Sequence, residues 1–312
     1  RSRPNARRLQ RSVSSGPGAL FELKRYNALN LLSNTREKGM KFDHEQVTKI
    51  IRETAEAEIL PRFERLSEGD ISEKSPGDLV TIADIESEKV LSHRLTKLLP
   101  GSVAIGEEGV AADPATLKLI SGDKPVWIID PVDGTHNFAH SVPCFAVIVC
   151  LVHRGEILSG WIHDPIENAT LYAKQGEGAW DYSQQGGKRL TLSDAKPIAQ
   201  MTGSLKRSDR HKVEERRSAG EAGLPTIMKR YRCVGREYMD LARGKFDFAS
   251  YSGTLKPWDH AAGILIYREA GGVDVMDDQY NIYEVEPRLI KGEVMLAPNE
   301  VLLKHLSTSL RA

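Results

Sequence analysis

Two aspartates, Asp130 and Asp133, are the residues whose type and spacing best fit metal chemistry. Asp130 follows the apolar run VWII in the segment Val126–Phe138, and this run predicts a short buried strand that ends at Pro131. Asp133 stands beside Gly134, and an Asp-Gly pair favours a turn that brings both carboxylates to one end of a sheet. Carboxylates held so close repel each other, so the pair predicts a bound cation.

The next residues, Gly134 and Thr135, predict a phosphate group beside that cation. Glycine lets a ligand approach the backbone, and Thr135 brings a hydroxyl and an N–H to the start of a helical turn, where anions bind. An isolated Asp-Gly pair is usually only a surface turn, but here an apolar strand precedes the acids. We therefore interpret the segment as a metal and phosphate site.

Other acidic residues have simpler explanations when each is taken alone. Glu107 and Glu108 follow a predicted strand at Ser102–Ile105 and lie between glycines, which is typical of a solvated loop. Asp84 is predicted to cap a helix. Asp259 is predicted in the first turn of another helix, where the helix dipole favours a negative charge without any metal.

The composition is that of a globular protein with two domains or one large one. Residues 1–39 carry a net charge of +7 and, because the whole chain sums to zero, residues 40–312 carry −7. An acidic body argues against nonspecific nucleic-acid binding. The longest apolar run is far shorter than the roughly 20 residues of a membrane-spanning helix, so no segment is predicted to cross a bilayer.

The three cysteines, Cys144, Cys150 and Cys233, are odd in number and lack the spacing of a zinc cluster. Neither a disulfide framework nor zinc is expected, and a reducing, cytoplasmic location is predicted. The basic, serine-containing residues 1–39 match disorder or an organelle transit peptide. We favour an upstream extension from a mis-assigned start, because a cleaner sequence begins at Met40, and organellar targeting stays an alternative.

The pattern of elements predicts an α+β fold in two parts, residues 40–185 and residues 186–312. Three runs in the first part predict an antiparallel meander: Cys144–Val152, Ile157–His163 and Ala169–Lys174. Strand candidates in the second part alternate with helix candidates: Ala199–Gly203, Tyr231–Val234, Phe246–Ala249, Gly272–Val275 and Val294–Ala297. The sequence thus predicts a mixed, mostly antiparallel N-terminal sheet followed by a smaller α/β layer.

Taken together, four motifs in this order resemble the inositol monophosphatase family of metal-dependent phosphatases. The first is DLVT with Asp84 three residues after it, and the second is the Gly-Glu-Glu of residues 106–108. The third is DPVDGTHNF at residues 130–138, and the fourth is WDHAAG at residues 258–263. The resemblance covers residues 43–310, and four spaced motifs make it specific.

The resemblance implies a layered α-β-α-β-α sandwich, a homodimer and a magnesium cofactor. Two or three Mg²⁺ ions, or Mn²⁺, would bind through oxygen ligands, which suit hard cations. Glu107, Asp130 and the Val132 carbonyl would hold one ion. Asp130, Asp133 and Asp259 would hold a second.

The resemblance also implies that water directly attacks a small phosphorylated metabolite, without a covalent enzyme intermediate. Glu107 and Thr135 would position and deprotonate this water, and Asp84 would orient Thr135. Backbone N–H groups near Gly134 and Thr135 would hold the phosphate. The expected activity is that of a magnesium-dependent phosphomonoesterase.

Four residues at substrate positions depart from the family pattern. Ser252 stands where inositol-hydrolysing members carry a Glu that contacts the ring hydroxyls. Arg236, Glu237 and Tyr238 stand where small residues are usual. Glu237 could pair with a substrate ammonium group or form a salt bridge with Arg236 or Arg232. Inositol monophosphate is therefore the first substrate considered, and histidinol phosphate, sugar phosphates and phosphoadenosine phosphates are alternatives.

Two further features have structural and functional interpretations. His136 and His140 could lie on one helix face as zinc ligands, but no third ligand accompanies them, which favours a packing or surface role. The charged residues between 206 and 217 predict a solvated helix face, with phosphate or partner binding as the second interpretation. Because some relatives bind transcription or RNA machinery, a binding protein is the alternative from another class, although nucleic acid is not the expected partner.

Overall fold

The computed structural model describes residues 42–183, 186–192, 196–276 and 281–311, so the predictions for residues 1–39 lie outside the described residues. The described residues from Asp43 onward belong to one compact unit. Within this part of the chain, no helix has both the length and the apolar character needed to cross a membrane.

The α-helices of the described residues are α1 (His44–Thr54), α2 (Ile82–Leu98), α3 (Glu107–Ala112), α4 (Thr135–Ala139), α5 (Arg207–Ser218), α6 (Val234–Ala242), α7 (Pro257–Glu269) and α8 (Glu300–Arg311). The strands are β1 (Ile71–Ser75), β2 (Asp78–Thr81), β3 (Val103–Gly106), β4 (Val126–Asp133), β5 (Ala146–His153), β6 (Glu156–Asp164), β7 (Ala169–Lys174), β8 (Gly178–Asp181), β9 (Lys188–Leu190), β10 (Thr202–Ser204), β11 (Thr226–Met228), β12 (Phe248–Leu255), β13 (Val273–Val275) and β14 (Ile290–Ala297). A π-helical segment continues α1 at Ala55–Ile59, and 3-10 turns lie at Leu60–Arg62, Glu68–Asp70, Pro114–Ser121 and Ile198–Gln200.

The larger sheet contains seven strands in the order β3-β4-β5-β6-β7-β8-β9. The first pair, β3 and β4, is parallel, and every later pair is antiparallel. The predicted antiparallel meander is therefore confirmed, and β7 has the predicted bounds. All residues of β4 are buried, as expected of a strand with both faces covered.

The strand β4 does not end at Pro131, as predicted, but continues to Asp133. Its pairing with β5 is continuous from Val126 to Asp130, shifts in register, and resumes where Asp133 faces Ala146. Because proline has no N–H to donate, irregular pairing at this point lets the strand pass through Pro131. Both aspartates therefore lie near the C-terminal end of one strand.

The smaller sheet is mixed and has the order β11-β10-β12-β14-β13. Its strand β10 is parallel to β11 and β12, whereas β14 is antiparallel to β12 and β13. The strand predicted at Tyr231–Val234 is wrong, because α6 begins at Val234. The buried residues Tyr238, Leu241 and Ala242 recur at helical spacing, and that periodicity determines the local structure.

The elements form the layers α, β, α, β, α. The helices α1 and α2 cover one face of the larger sheet, and α7 packs on β5, β6 and β7. Gly160 of β6 approaches α7 so closely that a Cβ atom would lie 2.8 Å from the Cα of Ala262. One apolar core joins α6 and α7 to both sheets, and a second joins the smaller sheet to α5 and α8. The layered sandwich implied by the resemblance is confirmed.

Candidate active site

Three carboxylates from distant parts of the chain meet beside β4. Asp130 lies on that strand, Asp259 is the third residue of α7, and Glu107 begins α3, where a solvated loop was the simpler expectation. One oxygen from each side chain lies within 4.8 Å of the other two. A set of three carboxylate oxygens suits a hard divalent cation such as Mg²⁺ or Mn²⁺.

Asp130, a member of this cluster, has a buried carboxylate oxygen without a hydrogen-bond partner among the described residues. It is 2% exposed, and no described residue forms a hydrogen bond with its Oδ1 atom. Burial raises the pKa of Asp130 well above its usual range, and the charges of Glu107, Asp133 and Asp259 raise it further. Burial and the charge of Glu107 likewise raise the pKa of Asp259. A buried oxygen without a partner, beside two more carboxylates, fits a bound cation.

Two ammonium groups bind the third carboxylate, Glu107. The Nζ atoms of Lys74 and Lys256 lie 2.9 and 3.0 Å from the same oxygen, Oε1. Burial favours the neutral form of Glu107, but Lys256 and Lys74 outweigh this effect and lower its pKa. The Lys74 ammonium also donates to Glu108 at 3.0 Å, and burial raises the pKa of Glu108 to about 7. The site thus combines carboxylates that suit a cation with two ammonium groups that pair with Glu107 and Glu108.

Asp133 is held by the beginning of α6. Its Oδ1 accepts the N–H of Val234 at 3.1 Å, and its Oδ2 accepts the N–H of Gly235 at 2.6 Å and the Cys233 thiol at 3.1 Å. Burial nevertheless raises the pKa of Asp133 to about 6. Asp133 is not one of the three carboxylates with mutually close oxygens, although its charge acts on Asp130. Its role as a ligand of a second cation stays a prediction.

The Thr135 hydroxyl lies between Asp84 and the backbone of β4. Its Oγ1 is 3.1 Å from Asp84 Oδ1 and 3.0 Å from the Val132 carbonyl oxygen. Asp84 Oδ2 accepts hydrogen bonds from the N–H and the hydroxyl of Thr81. The predicted cap is therefore corrected, because Thr81 caps α2, and Asp84, the third residue of the helix, completes the capping box by accepting the Thr81 N–H. Burial raises the pKa of Asp84 to about 6.

Gly134 occupies a position that requires glycine. Its φ of +92° is left-handed, and a Cβ atom would lie 3.0 Å from the Cys144 carbonyl oxygen and 3.2 Å from the Cβ of Cys233. The helix α4 then begins at Thr135, and Asn137 anchors the turn by donating to the Cys144 carbonyl at 2.8 Å. Conformation and close packing together exclude a larger residue. The phosphate contact of this turn stays a prediction.

Ser252 and Arg236, two of the residues that depart from the family pattern, have different surroundings. Ser252 is partly exposed on β12, and its backbone pairs with Glu293 of β14. Arg236 forms ion pairs with Asp164 and Glu167, at the end of β6 and in the turn that follows. The charge of Arg236 is therefore already balanced within the protein.

Glu237, the third of these residues, is 2% exposed. Its carboxylate accepts hydrogen bonds from the Ser204 hydroxyl and the Tyr231 N–H, both at 2.9 Å. These partners differ from Arg236 and Arg232, which the sequence offered as salt-bridge partners. A buried carboxylate satisfied by the protein favours a structural role over pairing with a substrate ammonium group.

The two histidines considered as zinc ligands are exposed and stack on each other. The ring centroids of His136 and His140 are 4.2 Å apart, with 14° between the ring planes. One ring nitrogen of His136 also lies 2.9 Å from a guanidinium nitrogen of Arg232. The rings thus pack against each other at the surface, as the sequence interpretation favoured.

Sequence reasoning missed both lysines of the site and also Glu88, which bonds to the backbone of α3. Lys74 precedes Asp78 by four residues, and Lys256 precedes Asp259 by three. Because each lysine lies close to one of the family motifs, its position in the sequence could have indicated that it belongs to the site. Glu88 offers no such signal, because its partners are about 20 residues further along the chain.

The layered fold and the acidic cluster are those of a phosphatase that depends on a metal, and comparison with known proteins makes this class specific. The inositol monophosphatase family model matches residues 43–311. The chain therefore belongs to the inositol monophosphatase family, and it is a phosphomonoesterase of that family.

Named relatives and a solved structure agree with this assignment. The inositol-1-monophosphatase of Caulobacter vibrioides is 32% identical over 266 residues, which cover 80% of this chain and 94% of that protein. A Thermotoga maritima protein named fructose-1,6-bisphosphatase/inositol-1-monophosphatase is 32% identical over 243 residues. These residues cover 74% of this chain and 87% of that protein. The solved structure of a Thermotoga maritima IMPase matches with a TM-score of 0.66 at 25% identity, covering 85% of this chain and 98% of that one.

Proposed function

We propose that the protein uses Mg²⁺ to hydrolyse a small phosphomonoester, with inositol monophosphate as the first candidate. The observation that carries this proposal is the convergence of Glu107, Asp130 and Asp259 within 4.8 Å, in a site that also contains two ammonium groups. Relatives named for inositol-1-monophosphatase activity support the choice of substrate.

The acidic side chains would hold the cations in two overlapping sets. Glu107, Asp130 and the Val132 carbonyl form the first set, and Asp130, Asp133 and Asp259 form the second. When bound, Mg²⁺ neutralises the ester phosphate, lowers the pKa of water and stabilises the departing oxygen. Oxygen-only ligands favour Mg²⁺ or Mn²⁺ over zinc.

Thr135 and Glu107 orient the attacking water. With its proton directed to Asp84 or to the Val132 carbonyl, the Thr135 oxygen keeps lone pairs that accept a hydrogen bond from water. Because the pKa of Asp84 is about 6, its carboxylate is ionised at neutral pH and can accept a hydrogen bond from the Thr135 hydroxyl. Glu107, with its lowered pKa, is a second acceptor near the water. The attack is direct, and no protein side chain becomes phosphorylated.

Backbone N–H groups near Gly134 and Thr135 hold the phosphate, and the ammonium groups of Lys74 and Lys256 balance the negative charge of Glu107 in the site. Ser252 replaces a carboxylate that would accept bonds from ring hydroxyls, which weakens discrimination in favour of inositol. Fructose 1,6-bisphosphate, histidinol phosphate and phosphoadenosine phosphate are therefore the competing substrates, the first supported by a relative's name.

The experiment is a Mg²⁺-dependent phosphate-release panel with inositol 1-phosphate and these three competitors, with Asp130→Asn protein as the background. We expect inositol 1-phosphate to give the highest kcat/KM. A competitor that exceeds it tenfold would replace inositol as the substrate. Release that never exceeds the Asp130→Asn background with any ester would contradict the proposed activity.

We also propose a homodimer and a cytoplasmic location, both of which follow from the family resemblance and the composition. Light scattering of the purified chain tests the first. A role in binding RNA gains no support from α5, because Arg210 lies 3.5 Å from Glu214 and Arg216 lies 2.5 Å from Glu221. Pairing of this kind balances the positive charge on which phosphate-backbone binding depends.

A further inference from the structure

Glu88 of α2 caps the start of a different helix, α3. Its Oε2 accepts the N–H of Glu108 and its Oε1 accepts the N–H of Gly109, both at 2.8 Å. N–H groups in the first turn of a helix have no partner within that helix, and Gly106, the residue before α3, has no side chain to offer one. Glu88 supplies that function from a distant position in the sequence.

The contact between the two elements is tight. A Cβ atom on Gly106 would lie 2.2 Å from the carboxylate carbon of Glu88, so the carboxylate packs directly against the bare Cα of this glycine. Gly106 itself has an extended backbone, with φ of −120°, which any residue can adopt. A substitution there would therefore act on Glu88 and leave the local backbone unstrained.

Glu107 stands between these contacts. Gly106 precedes it, and the two N–H groups bound by Glu88 belong to the next two residues. Lys74 and Lys256 bind the carboxylate of Glu107, whereas Glu88 fixes the backbone that carries it. Glu88 is not among the three carboxylates with mutually close oxygens, so it acts through Glu107.

We propose that Glu88 is a positioning residue of the metal site, because it orients Glu107 and thereby sets the affinity of the site for divalent cations. This inference rests on the proposed function of Glu107 as a metal ligand. Groups that orient metal ligands typically change metal affinity 10- to 100-fold when they are removed.

The test measures Mn²⁺ binding to the full chain by the electron paramagnetic resonance signal of free Mn²⁺, without any ester. Glu88→Ala removes both acceptors, and Gly106→Ala displaces the carboxylate without altering it. Glu88→Gln keeps the shape but loses the charge and one acceptor. Glu86→Gln is the matched control, because Glu86 lies on the same helix and pairs with Lys89 at 2.8 Å.

We expect Mn²⁺ affinity to fall at least tenfold in Glu88→Ala and Gly106→Ala, to fall less in Glu88→Gln, and to stay unchanged in Glu86→Gln. The Mg²⁺ concentration that gives half-maximal phosphate release should rise in parallel, while KM for the ester changes less than twofold. If Glu88→Ala does not fold, Glu88→Gln and Gly106→Ala decide the question.

Folded variants of Glu88 and Gly106 with Mn²⁺ affinity within twofold of the wild type would overturn the inference. An equal loss in Glu86→Gln would do the same, because it would show a general effect of charge on α2. Wild-type protein that binds Mn²⁺ but hydrolyses no ester would instead contradict the proposed function and leave the positioning role standing.

Discussion

Replacing Asp130 with asparagine is expected to stabilise the metal-free protein and to weaken strongly its stabilisation by Mg²⁺. Asparagine has nearly the same shape, and Oδ1 of Asp130 has no partner among the described residues that the change would remove. At the 4.8 Å that limits the oxygen separations in the cluster, two like charges repel by about 3 kcal/mol in a medium of effective dielectric constant of about 20. Because asparagine carries no charge and avoids this repulsion, we expect a gain of about 1–3 kcal/mol at pH 8.

The pH dependence of this gain follows from the raised pKa of Asp130. A carboxyl whose pKa is higher in the folded than in the unfolded state stabilises the fold at low pH, and this contribution is lost as pH rises through the folded pKa. The advantage of Asp130→Asn should therefore be larger at pH 8 than at pH 5, because the raised pKa of Asp130 favours its protonated form as pH falls.

The assay is urea-induced unfolding in the presence of a chelator at pH 5 and pH 8, repeated at pH 8 with Mg²⁺. At a Mg²⁺ concentration of about 100 times Kd, the wild type should gain about 2.7 kcal/mol of unfolding free energy, and the variant should gain far less. The matched control is Asp123→Asn, which removes the charge of a side chain that is 93% exposed. It should behave as the wild type does.

A metal-free Asp130→Asn protein that is less stable than the wild type at pH 8 would refute the repulsion argument. Retention of the full Mg²⁺ gain in that variant would refute the assignment of Asp130 as a ligand. These two results are independent, so the electrostatic and the metal-binding parts of the reasoning are tested separately.

Three further predictions concern the water-orienting pair and the support of Asp133. Thr135→Ala should lower kcat at least 100-fold with little change in KM, whereas Thr135→Ser, which keeps the hydroxyl, should retain activity within about tenfold, as measured by steady-state kinetics. Activity should fall as pH decreases through about 6, where both Asp84 and Asp133 bind a proton, and a pH profile of Asp84→Asn should show a shallower fall that Asp133 still causes. Cys233→Ala removes the thiol that donates to Asp133 and should weaken Mg²⁺ binding severalfold in a titration, while Cys233→Ser should not.

Much of the fold follows from local patterns that are easy to see in the sequence. The strand Ala169–Lys174 lies at the predicted residues because turn signals bound an apolar run. The helix that begins at Pro257 was likewise visible, because proline suits the first turn. The region around Tyr231–Val234 is the exception, because its four residues have extended character although a helix with its own periodicity begins at Val234.

Only those residues of the candidate site that belong to the four family motifs could be predicted from the sequence. The resemblance implies two overlapping ligand sets that include Glu107, Asp130, Asp133 and Asp259. The oxygens of Glu107, Asp130 and Asp259 do come within 4.8 Å of one another, whereas Asp133 is not part of that group. The contacts of Lys74 and Glu88 depend on how α2, α3 and the nearby loops pack, and no short-range pattern encodes such long-range contacts. Burial, which raises the pKa of most of the acids, is likewise a property of the packed layers.

The most direct test of the central claim is hydrolysis of inositol 1-phosphate in ¹⁸O-labelled water, with and without a chelator. Mass spectrometry of the released phosphate should show one ¹⁸O atom per phosphate in a single turnover, with release that stops on chelation and returns with added Mg²⁺. Undiminished turnover after chelation, or released phosphate without ¹⁸O, would contradict an account in which a carboxylate-held cation prepares water to attack phosphorus.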